Sequence, residues 1–481
     1  MDLKTKLSRL TAPVRRTPAQ TYGASGPHAR AEVTAQAAVP MTAPGAPPPP
    51  AAARSVATEE AGPGSADVPD RAADIRRRLA ALTAKSHAVQ TAARAVQGRG
   101  APFFETRETP HGPIHLRDTL FPADHRHGRA PVRAALEAEP GHLAALALDE
   151  SLRGVDPRGM LLIDTETTGL AGGTGTLPFV IGLGWFEGEC LRVQQLVLRR
   201  PGEEAPMLRA LEERLAVASC LVSYNGKTFD WPLLRNRFVM YRLKAPDPKA
   251  HFDLLHCARR IFKWRDGGAK LTHIEERILG HVRRGDVPGE QIPELYFRYL
   301  RTGNDALVAP VLDHNAHDMV LLAALLGWLA RQFRDATADD PRDQLGYATV
   351  AARAGDAERA LAFARSAAIR GAADRVLCAE ALALAAHVSR RKGDVLAAVD
   401  ALRAAVRVAS GELLASLHLE LAKLYEHRLG DVGRALDHAR YTQLAEGPTA
   451  HRRRLERLEA KWMRSAPDAR QLGLMVPIRP R

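Results

Sequence analysis

The strongest local constraint on this chain is the stretch Met160-Leu-Leu-Ile-Asp-Thr-Glu-Thr-Thr-Gly169. Its apolar run, 160–163, reads as a buried strand that ends where charge begins. Residues two apart on a strand face the same side, so Asp164 and Glu166 point one way and Thr165 the other. Gly169 follows in a turn where backbone can approach a bound molecule. Thr167 and Thr168 offer hydroxyls able to donate to a phosphate.

The pattern around that strand extends it into an α/β domain. Segments 179–186 and 191–198 read as two more strands, joined by a turn at 187–189. Leu208, Leu211 and Leu215 give 204–218 helical spacing. A short strand follows at 221–224, then a helix at 231–243. The segment 251–261 starts extended and becomes helical, and 311–333 is a long amphipathic helix. Three strands in a meander, then strands alternating with helices, imply a mixed sheet flanked by helices.

Beyond it the chain repeats. Gly355-Asp356, Gly393-Asp394 and Gly430-Asp431 recur at intervals of 38 and 37 residues. Five residues past each Gly comes a small-then-apolar pair: Ala360-Leu361, Ala398-Val399 and Ala435-Leu436. Helix, tight Gly turn, helix, with small residues where helices touch, resembles tetratricopeptide-type repeats. The period exceeds the usual value of about 34, which marks a divergent version. The concave face of such an array is a protein-docking surface.

With 481 residues there is room for two or three domains. The expected division is a disordered Ala/Pro-rich tail over 1–72 and a basic helix with an irregular extension over 73–157. The α/β domain follows over 158–335, helical repeats over 340–446 and a basic tail over 447–481. The tail at 1–72 cannot bury enough apolar surface to offset its ordering entropy. Within the extension, 73–95 has helical spacing and 132–136 is a helical patch. A net charge of +13 favours an anionic partner, with nucleic acid ahead of a membrane surface. The four cysteines form no Cys-x-x-Cys pair, so neither a disulfide framework nor a cysteine zinc site is indicated, and a reducing compartment is expected. The N-terminus lacks a signal-peptide core, and the apolar run 319–330 is too short to span a bilayer. A soluble cytoplasmic protein with no membrane partner is the expectation.

Two further clusters belong with Asp164 and Glu166. Asp230 closes Tyr-Asn-Gly-Lys-Thr-Phe-Asp (224–230), between a strand and a helix, and Phe229 is expected to anchor that turn in the core. Asp318 closes His-Asn-Ala-His-Asp (314–318) inside the long helix, with His314 one turn before it on the same face. His317 lies about 100° around the helix from Asp318 and is the weaker partner. Hard divalent cations such as Mg²⁺ and Mn²⁺ prefer oxygen ligands. Two of them about 4 Å apart can clamp the attacking and leaving oxygens of a phosphodiester. Asp164, Glu166, Asp230 and Asp318 are the candidate ligands of two such ions, and His314 is the candidate general base toward the attacking water.

On these motifs the chain resembles the DEDD exonucleases of the ribonuclease-H-like superfamily. Asp-x-Glu-Thr-Thr-Gly matches the first motif, Asn-x-x-x-Phe-Asp the second, and the segment ending at Asp318 the third. The third has His314 at the spacing where one subtype has Tyr, whereas the other subtype has His one residue farther away. The stretch from about 100 to 335, with His251-Phe252-Asp253-Leu254 and His314-Asn315-x-x-Asp318, is similar to the YprB-type ribonuclease-H-like exonucleases. The resemblance implies a mixed five-stranded sheet flanked by helices, with the four acids meeting at one edge. It implies 3′-to-5′ removal of nucleotides from DNA or RNA. The alternative is a catalytically weak or inactive nucleic-acid-binding scaffold that docks a protein on its repeats. Supporting candidates are Asp253, Lys227 and the mixed basic and aromatic stretch 259–265, which could hold a phosphate backbone and stack a base.

Overall fold

The computed structural model describes residues 103–169 and 175–465. The tail expected over 1–72, the helix expected over 73–95 and the last part of the expected C-terminal tail lie outside the described residues.

Nine strands are described: β1 (Glu105–Arg107), β2 (Ile114–Phe121), β3 (Arg126–His127), β4 (Ala130–Pro131), β5 (Met160–Thr167), β6 (Pro178–Glu187), β7 (Cys190–Val197), β8 (Cys220–Ser223) and β9 (His251–Asp253). Seven of them form one mixed sheet in the order β1-β2-β7-β6-β5-β8-β9, while β3 and β4 pair separately. The meander β5-β6-β7 is antiparallel, and β8 and β9 run parallel to β5. The expected mixed sheet is present, but it has seven strands rather than five. The added strands come from the stretch read as irregular. β2 pairs with β7 from His115 opposite Val197 to Phe121 opposite Leu191. Its apolar alternation stops at Leu116, and the polar residues that follow find partners on β7. Arg117 Nε donates to Gln195 Oε1 at 2.8 Å, and Arg192 donates to Asp118 at 2.8 Å. A strand held by cross-strand polar pairs has no period-2 hydrophobic signal to read.

Alternate residues of β5 enter different cores. Met160 and Leu162 join Val222, Phe252 and the long helix Ala309–Arg334, including Met319 and Leu322. Leu161 and Ile163 join the opposite face, covered by the helices Glu204–Val217, Asp230–Met240 and Ile292–Thr302. By the same parity Asp164 and Glu166 belong to the face of the long helix and Thr165 to the other. That helix approaches the sheet closely because β6 carries glycines there. A Cβ at Gly182 would lie 2.3 Å from Asn315 Oδ1.

The C-terminal half is helix-rich. Three antiparallel pairs follow one another: Pro341–Ala354 with Ala357–Arg370, Arg375–Arg391 with Val395–Val406, and Gly411–Leu424 with Val432–Ala439. At each turn the recurring glycine takes a left-handed φ, 86° at Gly355 and Gly393 and 69° at Gly430. The aspartate after it caps the next helix: Asp356, Asp394 and Asp431 accept from the backbone of Arg359, Ala397 and Arg434. The first pair shares the core of the α/β domain, with Tyr347 stacked on Phe363 at 5.1 Å and Arg265 donating to both oxygens of Asp343 at 2.7 Å. Part of the segment expected as a tail is instead a helix, Pro448–Ser465. Its Leu458 is buried in the last core cluster, Arg454 pairs with Glu446, and Arg457 with the buried Glu426. Among the described residues no helix is long and apolar enough to cross a membrane.

Candidate metal centre

β5 outruns its parallel neighbour. The β5–β8 register ends at Leu162 opposite Val222, two residues before Asp164. The carboxyl end of β5 therefore carries its acids past β8. The chain leaving β8 turns there and starts the helix Asp230–Met240. Asn225 takes a φ of 69°, a left-handed value that Asn tolerates. The turn hangs on Asp253, which accepts from the backbone N–H groups of Asn225 (2.8 Å), Lys227 (3.1 Å) and Leu255 (3.0 Å). Asp253 thus positions the loop that presents Asp230. Phe229, expected in the core, is half-buried.

Glu166, His314 and Asp318 each offer a ligand atom within 4.8 Å of the others. Asp164 and Asp230 stand outside that tight group but inside its field. Burial, then the charges of Asp318, Glu166 and Asp230, holds Asp164 well above the usual carboxylate range. Burial, followed by Asp318 and Asp230, pushes Glu166 up to about 8. Burial also raises Asp230, to about 6, against the hydrogen bond it receives from Thr165. Four carboxylates from three elements crowd one site, and Asp164 and Glu166 resist being charged beside the others. A site of this composition is satisfied by hard dications, whose charge offsets the repulsion and whose ligand preference is oxygen. The donor set fits such ions.

The acids are individually held. Asn315, fully buried, donates from Nδ2 to Asp164 Oδ2 at 2.9 Å, and its Oδ1 accepts from Gln195 Nε2 at 2.9 Å. Asp230 approaches from the opposite face of the sheet and accepts from Thr165 Oγ1 at 2.5 Å. That geometry gives Thr165, which faces away from Asp164 and Glu166, its own part in the site. Arg283 donates to Asp318, to Asp286 at 3.1 Å and to Glu275 at 2.8 and 2.9 Å. His314 turns Nδ1 to both oxygens of Asp286 at 2.9 Å, and its Nε2 lies 3.6 Å from Asp318. Burial opposes charge on this imidazole, but Asp286 and Asp318 outweigh it and raise its pKa above the ordinary value. His314 can accept a proton only in its neutral form, which a nearby dication would favour.

Several expected contributors have other roles. Thr167 Oγ1 donates to Gly169 O at 3.0 Å, and Thr168 Oγ1 accepts from Leu177 N at 3.0 Å, so both hydroxyls close the loop. Lys227 lies 3.5 Å from Asp149. Within 259–265, Arg260 donates to the carbonyls of Leu146 and Ala147, Phe262 is buried, and Arg265 pairs with Asp343. That stretch is largely an internal joint. His317 stays outside the group, its Nδ1 buried without a hydrogen bond. Asp313, which precedes His314 in the chain, pairs with Arg117 at 2.7 Å and was not an expected contributor. Sequence reasoning missed Asp286 and Arg283, and gave Asn315 no role.

Over 213 residues the chain is 34% identical to a protein of Bacillus subtilis (strain 168) named "Uncharacterized protein YprB". The match covers 44% of this chain and 51% of the relative, so the chain spans about half the length of the curated relative it matches. Residues 161–330 match a family model described as the RNase_H superfamily, and they include Asp164, Glu166, Asp230, Asp286, His314 and Asp318. The stretch that gathers the acids is an RNase_H-superfamily domain.

Proposed function

We propose that this protein is a metal-dependent phosphodiester hydrolase acting on nucleic acid as a 3′-to-5′ exonuclease of the DEDD type. The observation that carries the reading is the convergence of Asp164, Glu166, Asp230 and Asp318 at the carboxyl end of β5, three of them with raised carboxyl pKa values. These four residues would hold two ions, Mg²⁺ or Mn²⁺. Such ions supply an activated water and neutralise charge on the phosphate. The chain's own part is positional. Asn315 fixes Asp164, Thr165 fixes Asp230, and His314, oriented by Asp286 on Nδ1, directs Nε2 into the site, where it can take the proton of the attacking water. The helix pairs of the C-terminal half, repeating at 38 and 37 residues, are tetratricopeptide-like, and their concave face would dock a protein.

One observation favours a second reading, a domain that binds nucleic acid without cutting it. Arg283 already pairs with Asp318, as a built-in cation in a site meant for dications. A time course with Mg²⁺ or Mn²⁺ on end-labelled single- and double-stranded DNA and RNA separates the two. The hydrolase reading expects shortening from the 3′ end that Asp164→Asn or Asp318→Asn reduces by at least about 100-fold, the upper range for loss of an outer-shell metal partner. Undiminished cutting by those variants rules out this site. Binding without cutting by the unmutated protein favours the second reading.

A further inference from the structure

Behind the acidic cluster, three side chains from separate segments meet as another set of metal-type donors. His127 comes from β3, Glu275 from the helix Leu271–Arg277, and His281 from the loop after it. Each offers a ligand atom within 4.8 Å of the others. His127 Nε2 lies 2.7 Å from Glu275 Oε1, and His281 Nε2 lies 4.0 Å from the same oxygen. The two imidazole rings are 4.1 Å apart, inclined at 33°. His127 and Glu275 are buried and His281 is half-buried, which leaves an open side for a small fourth ligand such as water.

The backbone holds this arrangement in place. Gly128 takes a φ of 56°, and a Cβ there would fall 2.0 Å from Leu279 O. Arg129 N donates to Leu279 O at 2.8 Å, and Arg129 Nε donates to Ile278 O at 2.5 Å. The β3–β4 hairpin is thereby pressed against the segment that leads to His281. Glu275 accepts from Arg283 on both oxygens, as ligating carboxylates commonly accept from an outer partner. The Arg283 charge is shared among Glu275, Asp286 and Asp318. Because that one guanidinium also serves Asp286 and Asp318, it does not neutralise Glu275 alone.

Two imidazoles and a carboxylate match the borderline ions, Zn²⁺ first, and suit Mg²⁺ poorly. We propose that His127, Glu275 and His281 form a Zn²⁺-type site that fastens the N-terminal extension to the segment carrying Arg283. Glu275 and His281 lie close together in the chain, but His127 stands 148 residues before Glu275 and no cysteine is among them, so no compact spacing motif marks the set. This site is independent of the hydrolase reading.

The test is Zn²⁺ binding by the full chain, measured by competition with a chromophoric chelator in excess Mg²⁺. A double variant, Asp164→Asn with Glu166→Gln, disables the other cluster. The proposal expects one Zn²⁺ per chain in both proteins. It expects affinity more than about 100-fold weaker after His281→Gln, beyond the loss that follows removal of an outer partner. Circular dichroism checks the fold of that variant, whose altered side chain is half-exposed. Co²⁺ added to the double variant, in which His127, Glu275 and His281 are unchanged, should give the strong visible bands of a four-coordinate site, a readout that needs no change at the histidines. Absence of Zn²⁺ binding in the double variant, affinity unchanged by His281→Gln, or only the weak bands of hydrated Co²⁺ would overturn the proposal.

Discussion

His314 Nδ1 lies 2.9 Å from both oxygens of Asp286, and this pairing leaves Nε2 as the nitrogen that faces Asp318. A carboxylate on one ring nitrogen fixes the tautomer and the ring plane, so Asp286 acts through the histidine. If the proposed hydrolysis uses His314, His314→Gln lowers its rate by about 10²–10⁴-fold. Asp286→Asn lowers it by less. The double variant loses no more than His314→Gln alone, because residues acting as a unit are non-additive. Rate constants for the two single variants and the double variant check this, and additive losses would show that Asp286 acts elsewhere.

Charge crowding makes a separate prediction about stability. Glu166 has a carboxyl pKa raised to about 8 by burial and by Asp318 and Asp230, against about 4.3 in an unfolded chain. The folded state therefore holds the proton more tightly, and this residue's contribution is lost as pH rises from about 4.3 toward 8. Glu166→Gln removes that penalty. Without divalent cations, at pH 8, the variant should melt above the unmutated protein by roughly 2–4 °C for each kcal/mol relieved. Mn²⁺ should raise the melting temperature of the unmutated protein more than that of the variant. Thermal melts with and without Mn²⁺ test both, and a variant that melts lower at pH 8 would contradict the crowding.

Gly182 is required by contact. Its Cβ would sit 2.3 Å from the Oδ1 of Asn315, the residue that donates to Asp164. Gly182→Ala should destabilise the domain by about 1–3 kcal/mol, the usual range for overpacking. It should also impair hydrolysis through displaced Asn315 and Asp164, although position 182 touches no substrate in this reading. Denaturant melts and cleavage rates on the same preparation check the pair of effects.

The repeats should weaken in acid. Burial lowers His387 to about 4; burial, then His418, lowers His438 to about 4. His438 Nδ1 lies 2.9 Å from His418 Nδ1, a contact that two protonated rings cannot keep. Because the folded values fall below the unfolded value of about 6.5, the unfolded state binds more protons in that window. Stability is complete above about pH 6.5 and declines toward pH 4. Amide exchange over 375–439, corrected for intrinsic rates, should be faster at pH 5 than at pH 7. Replacing His387 and His438 with Gln should flatten the difference.

The five strands β5 to β9, the helices Glu204–Val217, Asp230–Met240 and Ala309–Arg334 and the recurring Gly-Asp turns were legible in the sequence because each rests on local periodicity or turn chemistry, whereas the helix Ile292–Thr302, which also covers the sheet, was not read. The expected strand at 179–186 is β6 (Pro178–Glu187), and the long helix expected at 311–333 is Ala309–Arg334. The parity of β5 likewise put Asp164 and Glu166 on one face before any packing was known.

What surrounds those acids was decided only in three dimensions. β2 joins the sheet through Arg117–Gln195 and Asp118–Arg192, polar pairs spanning 78 and 74 residues of chain. Asp230 reaches the site from the opposite face by way of Thr165, a residue that strand parity turns away from the other acids. Arg283, Asp286 and Asn315 orient the ionisable groups, yet Arg283 and Asp286 sit in no spacing that a local pattern could single out, and the motif containing Asn315 does not disclose its bond to Asp164. Backbone periodicity writes itself into neighbouring residues, whereas the hydrogen bonds that hold one buried charge beside another exist only once distant segments have packed together.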